Sequence, residues 1–388
     1  MHFRFTTAGE SHGKALIAIV EGVPAGLSID AGEVNEELSR RQMGYGRGGR
    51  MKIEIDSAEF LSGVRHGVTI GSPIALIIEN RDFVHWTEVM SSEAVPGFDN
   101  ESKRVERPRP GHADLAGGLK YQTRDMRNVL ERASARETAA RVACGAIAKV
   151  LLREFGVEIL SHVVKIGDVP KEPILADWEK VESLPQDSPL RCTDNGIEAE
   201  MTALIDSAKE RGDTLGGVFE VIARDVPVGL GSHVSWDEKL DGRLARALMS
   251  IQAVKAVEIG KGVANASRFG SEVHDEIGYV DGGFSRTSNR AGGLEGGITN
   301  GEELRLRGYM KPISTLRSRL KSVNIDSKEE ETASFERSDI VAVTAAGVIG
   351  ESMTAIVLAD AMRSKFGGDS LNEMTANFRS YLDAVSKY

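Results

Sequence analysis

Cysteine, aromatic side chains and long uncharged apolar stretches are all scarce in this chain of 388 residues. The two cysteines, Cys144 and Cys192, cannot form a disulfide framework, and no Cys/His spacing indicates a zinc site. The longest apolar stretch, residues 340–362, contains Glu351 and Asp360, which is typical of a packed helix rather than a membrane span. The start of the chain shows no positively charged, apolar secretory signal. We therefore expect a cytoplasmic protein without a structural metal.

Negative charge prevails, with a net charge of −10, yet the arginines are clustered. The clusters lie in residues 39–52, 102–112 and 124–141, and the first is interleaved with glycines. Because side chains are sparse there, guanidinium and backbone N–H groups can close on a phosphate or carboxylate. The pattern favours a small anionic ligand. A nucleic-acid-binding protein is the alternative that residues 44–50 suggest, but the acidic net charge and the 5% aromatic content argue against it.

A Gly-Glu-Ser-His-Gly motif at residues 9–13 fits the G-x-S-x-G turn that presents the nucleophilic serine of α/β-hydrolases. That turn requires a strand before it and a helix after it. Here the preceding residues suffice for one short strand, and residues 14–27 form an apolar stretch closed by Val-Pro and glycine, which predicts a second strand. The sequence therefore predicts a strand–loop–strand unit that carries Ser11 and His12, and it argues against a hydrolase.

His112 lies in a second candidate loop. Pro108 and Pro110 stiffen the approach to it, and Gly111 allows the chain to turn just before the ring. Arg109 is close in sequence, so the imidazole would lie in a cationic, anion-binding environment. A histidine in such a site is a candidate general acid or base near neutral pH, although most loop histidines are simply solvated.

Two helices rich in small residues are predicted. Ser134 and Glu137 have the capping-box spacing at the start of the first, and Ser235 and Glu238 have the same spacing before another helix. Asp339 lies just before the second small-residue helix. We expect it to cap that helix or to interact with its dipole.

An internal repeat divides the chain. Residues 18–41 and 220–247 each contain an apolar strand, a V-P-x-G-L turn and a helix. This predicts an α+β fold in which two halves, residues 1–167 and 214–388, share one core and are joined by a variable segment, residues 168–213. Two independent domains that meet near that segment are the alternative.

Residues 289–316 are a second glycine-rich stretch. This stretch has no G-x-G-x-x-G after a strand and no G-x-x-x-x-G-K-[ST], so neither a dinucleotide fold nor a P-loop is supported. Lys311, followed by Pro312 and the polar pair Ser314 and Thr315, suits the binding of a phosphate tail. An ordinary strand-to-turn segment explains these residues equally well.

Eight separated motifs resemble, in order and across nearly the whole chain, those of the chorismate synthase family. They are residues 9–13, 40–54, 107–121, 130–143, 250–260, 289–301, 310–316 and 337–351. The resemblance implies a lyase that converts 5-enolpyruvylshikimate-3-phosphate to chorismate and phosphate by 1,4-elimination with reduced FMN, the last common step of the shikimate pathway. It also implies a β-α-β sandwich, with helices between antiparallel sheets, and a homotetramer.

The resemblance also assigns roles to individual residues. It makes His12 the acid that assists phosphate departure, His112 the group that protonates the reduced flavin, and Asp339 the group that assists at flavin N5. The substrate and NADPH are expected at Arg41, Arg47, Arg50, Arg109 and Arg136. The FMN is expected at Arg132, Ala133, Ser134, Gln252, Ala253, Gly296, Lys311, Pro312, Ile313, Ser314, Thr315 and Arg337. Whether the enzyme reduces its own FMN with NADPH or depends on a separate flavin reductase stays open.

Two single substitutions separate the roles of Ser11 and His12. His12→Ala should lower turnover by about 10²–10⁴-fold, because the proton donor to the leaving phosphate is lost. Ser11→Ala should cost only about 0.5–1.5 kcal/mol, the value of one hydrogen bond. Both variants are assayed with reduced FMN at saturating substrate. A serine variant more damaged than the histidine variant, or covalent labelling of Ser11 by a fluorophosphonate, would contradict this assignment.

Overall fold

The computed structural model describes residues 2–48, 55–99, 103–280, 282–336 and 338–388 and contains both strands and helices. The strands are β1 Arg4–Ala8, β2 Ala15–Glu21, β3 Ala58–Phe60, β4 Val64–Arg65, β5 Val68–Thr69, β6 Ile74–Glu79, β7 Glu158–Ile166, β8 Gly217–Arg224, β9 Val254–Ile259, β10 Ile277–Val280, β11 Gly283–Arg286, β12 Leu294–Glu295, β13 Ile298–Thr299, β14 Leu304–Met310, β15 Lys321–Val323 and β16 Glu330–Thr332. The α-helices are α1 Ala31–Gln42, α2 Asp114–Tyr121, α3 Arg127–Ala133, α4 Thr138–Arg153, α5 Trp178–Glu182, α6 Asn195–Arg211, α7 Leu240–Met249, α8 Gly262–Asn265, α9 Gly270–Val273, α10 Val343–Phe366 and α11 Leu371–Val385. The predicted mixture of helices and strands is confirmed.

The first sheet has the strand order β1-β2-β6-β3 and is antiparallel throughout. Along β2, Leu16, Ala18 and Val20 are buried, whereas Ile17 and Ile19 are each 41% exposed. This alternation arises because successive side chains of a strand point to opposite faces of the sheet. One face of the first sheet therefore packs on the core, and the other presents isoleucines to solvent.

The second sheet has the order β7-β8-β14-β9 and is also antiparallel. Its strand β8 is buried along almost its whole length because both faces of the sheet are covered. Helix α10 packs on one face. On the other, Trp178 of α5 packs in one cluster with Ile222 and Leu160. The segment 168–213 thus covers the outer face of the second sheet. Among the described residues, no such segment covers the outer face of the first sheet, where Ile17 and Ile19 are exposed.

Helices α4 and α10 lie in the middle of the molecule. Helix α4 packs on β2 and on α10, and α10 packs on β7 and β8, so the layers run from first sheet to α4, α10 and second sheet. The helices approach closely because Gly145 of α4 faces Ser352 of α10, and a Cβ on the glycine would lie 2.5 Å from the serine Cα. Although α10 is long and apolar enough to cross a membrane, 89% of its most apolar stretch is buried inside the protein. It is the packed helix that residues 340–362 predict.

Glu351 connects these layers. Its carboxylate accepts hydrogen bonds from Arg40 of α1 at 2.8 Å, from Lys149 of α4 at 2.5 Å and from the Ser161 hydroxyl of β7 at 2.6 Å. Burial alone would raise the pKa of Glu351, but the charges of Arg40 and Lys149 hold it well below its usual range. One buried carboxylate therefore ties three helices to the second sheet.

The capping box predicted at the start of α4 is only partly right. The Ser134 hydroxyl accepts the N–H of Arg136 at 3.3 Å, but a 3-10 turn precedes the helix. The Glu137 carboxylate accepts hydrogen bonds from Arg141 at 2.9 Å and from the Thr7 hydroxyl at 2.9 Å instead of serving the cap. A charged donor such as Arg141 binds a carboxylate more strongly than a neutral backbone N–H does, so Glu137 pairs with Arg141 and does not complete the capping box.

The cap predicted from Ser235 and Glu238 is wrong. Helix α7 begins at Leu240, and the Glu238 N–H bonds to the Ser235 oxygen at 3.2 Å in a turn before the helix. The N–H of Leu240 donates to the Gly297 oxygen at 2.9 Å. A contact with a distant loop therefore determines where this helix begins.

Gly145→Ala should destabilise the protein by about 1–3 kcal/mol, because the new methyl group would overlap Ser352 and force α4 away from α10. This loss outweighs the better helix propensity of alanine, which is about 1 kcal/mol. The matched control is Gly242→Ala in α7, where nothing lies within 4 Å of the new Cβ and stability should rise. Chemical denaturation measures both variants. Stability changes of the same sign at both positions would contradict the close packing of α4 on α10.

Candidate active site

The loop at residues 9–13 joins β1 to β2, so the predicted strand–loop–strand unit is confirmed. Gly9 has a positive φ of 102°, and a Cβ there would lie 2.3 Å from a backbone oxygen of β2, so only glycine fits. Asn80, just after β6, donates its side-chain amide to the oxygens of Glu10 and Gly13 at 3.1 and 2.7 Å. The loop is therefore held in a single conformation by its neighbours.

His12 is held on one ring face and at one ring nitrogen. Its Nδ1 lies 2.8 Å from Glu131 Oε1, and its backbone N–H donates to Glu131 Oε2 at 2.8 Å. The ring stacks on Trp86, with 4.1 Å between centroids and 28° between planes. Ser11 is only 3% exposed, and its N–H donates to the Glu131 oxygen at 3.0 Å. This arrangement suits an oriented acid or base and not an exposed serine nucleophile.

Cations surround the partners of His12. Arg127 donates to Glu131 Oε1 at 3.1 Å. Arg127 and Lys103 lie 5.0 and 4.7 Å from the centroid of the Trp86 ring. Burial alone would raise the pKa of Glu131, but its hydrogen bonds with His12 and the charge of Arg127 lower it. Glu131 is therefore ionised at neutral pH.

Arg41 and Arg136 share one carboxylate. Asp56 accepts from Arg41 at 2.8 Å and from Arg136 at 2.5 Å, and Arg136 Nε donates to Asn80 Oδ1 at 2.8 Å. The three charged side chains are all buried. Within the described residues, Arg41 Nε and Arg136 Nη2 have no hydrogen-bond partner. Two buried donors and an excess of positive charge are the arrangement expected of an anion site.

The first arginine cluster is not one glycine-rich loop. Arg41 lies in the last turn of α1, whereas Arg47 Nε lies 3.2 Å from Asp339 Oδ2. The expectation that Asp339 caps α10 or interacts with its dipole is wrong, because Ala342 is the N-cap residue of that helix. Asp339 instead accepts the N–H of Gly48 at 2.6 Å. The Asp339 carboxylate therefore serves the backbone N–H of Gly48 in the loop and does not cap the helix.

His112 is held by Asp114 and Arg109. The Nδ1 atom of His112 lies 2.5 Å from Asp114 Oδ1, and Arg109 Nε donates to Asp114 Oδ2 at 2.8 Å. Burial alone would raise the pKa of Asp114, but hydrogen bonds with His112 and Arg109 hold it well below its usual range. Arg109 Nη1 also donates to the Thr315 hydroxyl at 3.0 Å. The candidate histidine and the candidate phosphate segment are thus brought together.

Lys311 of that segment lies against the loop of His112. Its Nζ donates to the Gly111 oxygen at 2.6 Å, and a Cβ on Gly111 would lie 3.1 Å from Lys311 Nζ and 3.5 Å from Ser314 Cβ. Burial and the neighbouring Lys255 lower the pKa of Lys311, and no carboxylate of the described residues opposes this shift. The ammonium group is therefore not neutralised by an acid within the described chain.

The segment Arg132–Ala133–Ser134 meets the segment Gln252–Ala253 at the start of α4. Arg132 donates to the oxygens of Thr7 and Gly9, at 2.9 Å in each case. Gln252 Nε2 donates to Glu137 Oε2 at 3.3 Å. Its other amide atom, Oε1, is buried and has no partner among the described residues. These two predicted cofactor segments are therefore neighbours.

Gly296 lies in the turn between β12 and β13, next to the Gly297 oxygen that accepts the N–H of Leu240 at the start of α7. Its assignment to the cofactor stays a prediction. Two further predicted residues, Arg50 and Arg337, lie outside the described residues.

Comparison with known proteins decides the family. The family profile described as chorismate synthase matches residues 3–363. The chain belongs to the chorismate synthase family. It is 56% identical to the chorismate synthase of Solibacter usitatus over 389 residues, which is 99% of this chain and 100% of that protein. It is 56% identical to the chorismate synthase of Aquifex aeolicus over 396 residues, which is 100% of this chain and 99% of that protein.

A solved structure supports the same family. It is titled "Crystal Structure of Chorismate Synthase", has a TM-score of 0.79 at 46% identity, and covers 100% of this chain and 99% of its own. The chain is therefore a lyase of the shikimate pathway that converts 5-enolpyruvylshikimate-3-phosphate to chorismate and phosphate. That substrate carries a phosphate and two carboxylates, which agrees in sign with the excess positive charge at Arg41 and Arg136.

Sequence patterns identified the histidines and arginines but missed the carboxylates that hold them. Asp114 follows His112 by two residues, and this short spacing was a usable signal. No local pattern could identify Glu131, which is separated from His12 by 119 positions. The same holds for Asp56, which lies 80 positions from Arg136.

Arg136→Lys should lower kcat/KM by about 10–100-fold, because an ammonium group keeps the charge but loses the planar fork and its buried donor. The matched control is Arg307→Lys. Arg307 is 7% exposed and donates to Glu220 and Glu258 at 2.9 Å each, on the second sheet. The Arg307→Lys variant should keep wild-type kinetics. Steady-state assays with reduced FMN measure both variants, and an equal loss in the two would show that only buried arginine packing was disturbed.

Proposed function

We propose that an anionic group of the substrate binds at Arg41 and Arg136, beside the loop of His12. The observation that supports this is the pair of buried N–H groups, Arg41 Nε and Arg136 Nη2, which have no partner within the described chain. A buried polar group without a partner costs about 1–3 kcal/mol, so an anion that accepts both bonds is strongly favoured. Asn80 joins Arg136 to Gly13, and this places the anion next to the loop.

His12 is the proton donor to the departing phosphate in this proposal. Its Nδ1 faces Glu131, so the proton is transferred at Nε2. Departure of phosphate develops negative charge, and donors that are fixed before the reaction stabilise it without reorganisation. Arg41 and Arg136 supply that stabilisation, while the transfer from His12 removes the charge from the leaving oxygen.

Reduced FMN is the cofactor in this proposal, and two observations fit it. Lys311 is a cation that no described carboxylate neutralises, and the same segment carries the hydroxyls of Ser314 and Thr315, of which that of Thr315 accepts from Arg109; this suits a phosphate tail. Gln252 Oε1 is a buried acceptor without a partner among the described residues, and this suits an N–H group of a ring. When bound, reduced FMN supplies electron density that is returned at the end of the reaction. The residues that hold it would be Arg132, Ala133, Ser134, Gln252, Ala253, Gly296, Lys311, Pro312, Ile313, Ser314, Thr315 and Arg337.

His112 and Asp339 act on the cofactor side of the proposed site. Asp114 takes Nδ1 of His112, so this histidine holds its transferable proton at Nε2 for the bound flavin. Asp339 is fixed by Gly48 and Arg47, and it would assist at flavin N5. The Ser338 hydroxyl donates to the Thr315 oxygen at 2.9 Å, which joins the segment of Asp339 to the phosphate segment.

We also infer that the enzyme is a cytoplasmic homotetramer. Two buried free cysteines, Cys144 and Cys192, support a reducing compartment. The exposed face of the first sheet, with Ile17 and Ile19, is the kind of surface that assembly would cover. NADPH is the reductant of the FMN in this proposal, and a separate flavin reductase is the alternative.

The two halves of the chain are, in our proposal, copies of one unit within a single domain. The orders β1-β2-β6-β3 and β7-β8-β14-β9 support this, because each sheet places the first, second, fourth and third of its own strands in chain order side by side. The unit of the second sheet begins with β7, within residues 1–167. Each sheet also has one long helix, α4 or α10, on its inner face. One buried core extends from Phe3 to Met374, and this supports one domain over residues 1–388 with a β-α-β sandwich architecture.

Chorismate formation should require reduced FMN, without stoichiometric oxidation of the flavin. An anaerobic assay with dithionite-reduced FMN tests this, and equal turnover without flavin would refute the proposal.

Lys311→Ala should raise the Kd for FMN about tenfold, since one charge-assisted contact to the phosphate is lost. Quenching of FMN fluorescence measures this without catalysis. The control is Lys209→Ala, an exposed lysine of α6 that should leave the Kd unchanged.

A further inference from the structure

We infer that Glu131 is a positioning residue for His12, which fixes the orientation of the imidazole and the nitrogen that carries the transferable proton. This inference rests on the proposed role of His12 as the proton donor. Glu131 itself touches neither the substrate nor the cofactor in the proposal. It acts through the histidine, and its effect is therefore separable from binding.

The contacts of Glu131 span two consecutive residues of the loop. Both carboxylate oxygens bind His12, one at the ring Nδ1 and one at the backbone N–H, each at 2.8 Å. The backbone oxygen of Glu131 accepts the N–H of Ser11 at 3.0 Å. The Glu131 side chain is only 3% exposed, so water does not compete strongly for these bonds. A single residue of α3 therefore fixes both the backbone and the ring of His12.

Trp86 and Glu131 together remove the rotational freedom of the ring. Stacking on Trp86 at 4.1 Å sets the plane of the imidazole. Within that plane, the bond from Nδ1 to Glu131 sets the rotation, since the opposite ring flip would present carbon to the carboxylate. A nitrogen that faces an ionised carboxylate carries a proton, and Nε2 then becomes the atom that exchanges a proton with the ligand.

The charges around His12 favour this role. Arg127 of α3 donates to Glu131 Oε1 at 3.1 Å and thereby holds the carboxylate in place. Lys103 lies on Trp86, 4.7 Å from the ring centroid. Although burial alone would raise the pKa of Glu131, its bonds with His12 lower it, so that the carboxylate is ionised at neutral pH. An ionised carboxylate accepts the N–H of Nδ1 and so keeps the ring in one orientation.

A chemically similar group far from the loop provides a matched control. His162 Nε2 lies 3.0 Å from Glu220 Oε2, and Arg307 donates to Glu220 at 2.9 Å. His162 and Glu220 are 1% and 0% exposed. This group also consists of a histidine, a glutamate and an arginine, but it joins β7 to β8 and β14 in the second sheet. Its disruption therefore reports the cost of breaking a buried His–Glu contact as such.

The first experiment compares Glu131→Gln with Glu220→Gln in steady-state assays with reduced FMN. Glutamine keeps the shape but has one acceptor oxygen, so it cannot serve both N–H groups of His12 as the carboxylate does. We expect kcat of Glu131→Gln to fall by about 10²-fold or more, with KM changed less than about threefold. Glu131→Asp, which keeps the charge, should recover part of this loss and also serves if the glutamine variant does not fold. Glu220→Gln should keep wild-type kcat. Unchanged kcat in Glu131→Gln, or an equal loss in both glutamine variants, would overturn the inference.

The second experiment is a double-mutant cycle with His12→Ala. If Glu131 acts through the histidine, Glu131→Gln should have no further effect on kcat once the ring is absent. A further tenfold loss in the double variant would show an independent role and overturn the inference. The cycle also separates the two proposals. Unchanged kcat in His12→Ala refutes the proton-donor role itself, whereas a loss in His12→Ala without a loss in Glu131→Gln refutes only the positioning role.

Nitrogen-15 NMR of the imidazole rings gives a readout that does not depend on turnover. In the wild-type protein the His12 Nδ1 signal should be that of a protonated, hydrogen-bonded nitrogen. Glu131→Gln should change that signal, and Glu220→Gln should leave it in place. An Nδ1 signal that is the same in the wild type and in Glu131→Gln would overturn the inference.

Discussion

The close contact between α4 and α10 is the constraint on which the rest of the structure depends. Each helix supports one four-stranded sheet, and Gly145 allows the two helix backbones to meet at Ser352. The start of α4 also carries the turn of Arg136, which reaches Asp56 and Asn80. The helix contact therefore positions the candidate anion site as well as the core. A side chain at Gly145 would disturb both, because the same helix serves both.

Electrostatic pairing then fixes the side chains of the site before any ligand binds. Glu131 orients His12, Asp114 orients His112, and Asp56 orients Arg41 and Arg136. Each carboxylate is buried, so its partner is held in a low-dielectric environment where charge interactions are strong. At Asp56 one negative charge faces two positive charges, and the surplus is what an anionic substrate can neutralise. In the proposed site, this incomplete neutralisation is what would attract the anionic ligand.

Local patterns predicted well what depends on neighbouring residues. The loop of His12 follows from two apolar strands and flanking glycines, and it is found between β1 and β2 as predicted. Patterns failed where a distant partner decides. The cap predicted at Ser235 does not form, because helix α7 begins at Leu240, whose N–H donates to the Gly297 oxygen. Glu137 does not complete its predicted capping box, because its carboxylate accepts from Arg141 and Thr7. The family resemblance supplied roles for the histidines, but the carboxylates that hold them follow only from packing.

The position of α10 in the chain has a consequence for protein synthesis. This helix begins at residue 343 of 388, yet it is the partner of α4 and of the second sheet. Ribosomes add about 5–20 residues per second, so the 190 residues from the end of α4 at residue 153 to the start of α10 at residue 343 take roughly 10–40 s to emerge. Until α10 emerges, the faces of α4 and β8 that it covers in the folded protein have no partner and are open to misassociation. A core that closes this late leaves apolar surface exposed during much of synthesis, which is the condition under which nascent chains misassociate.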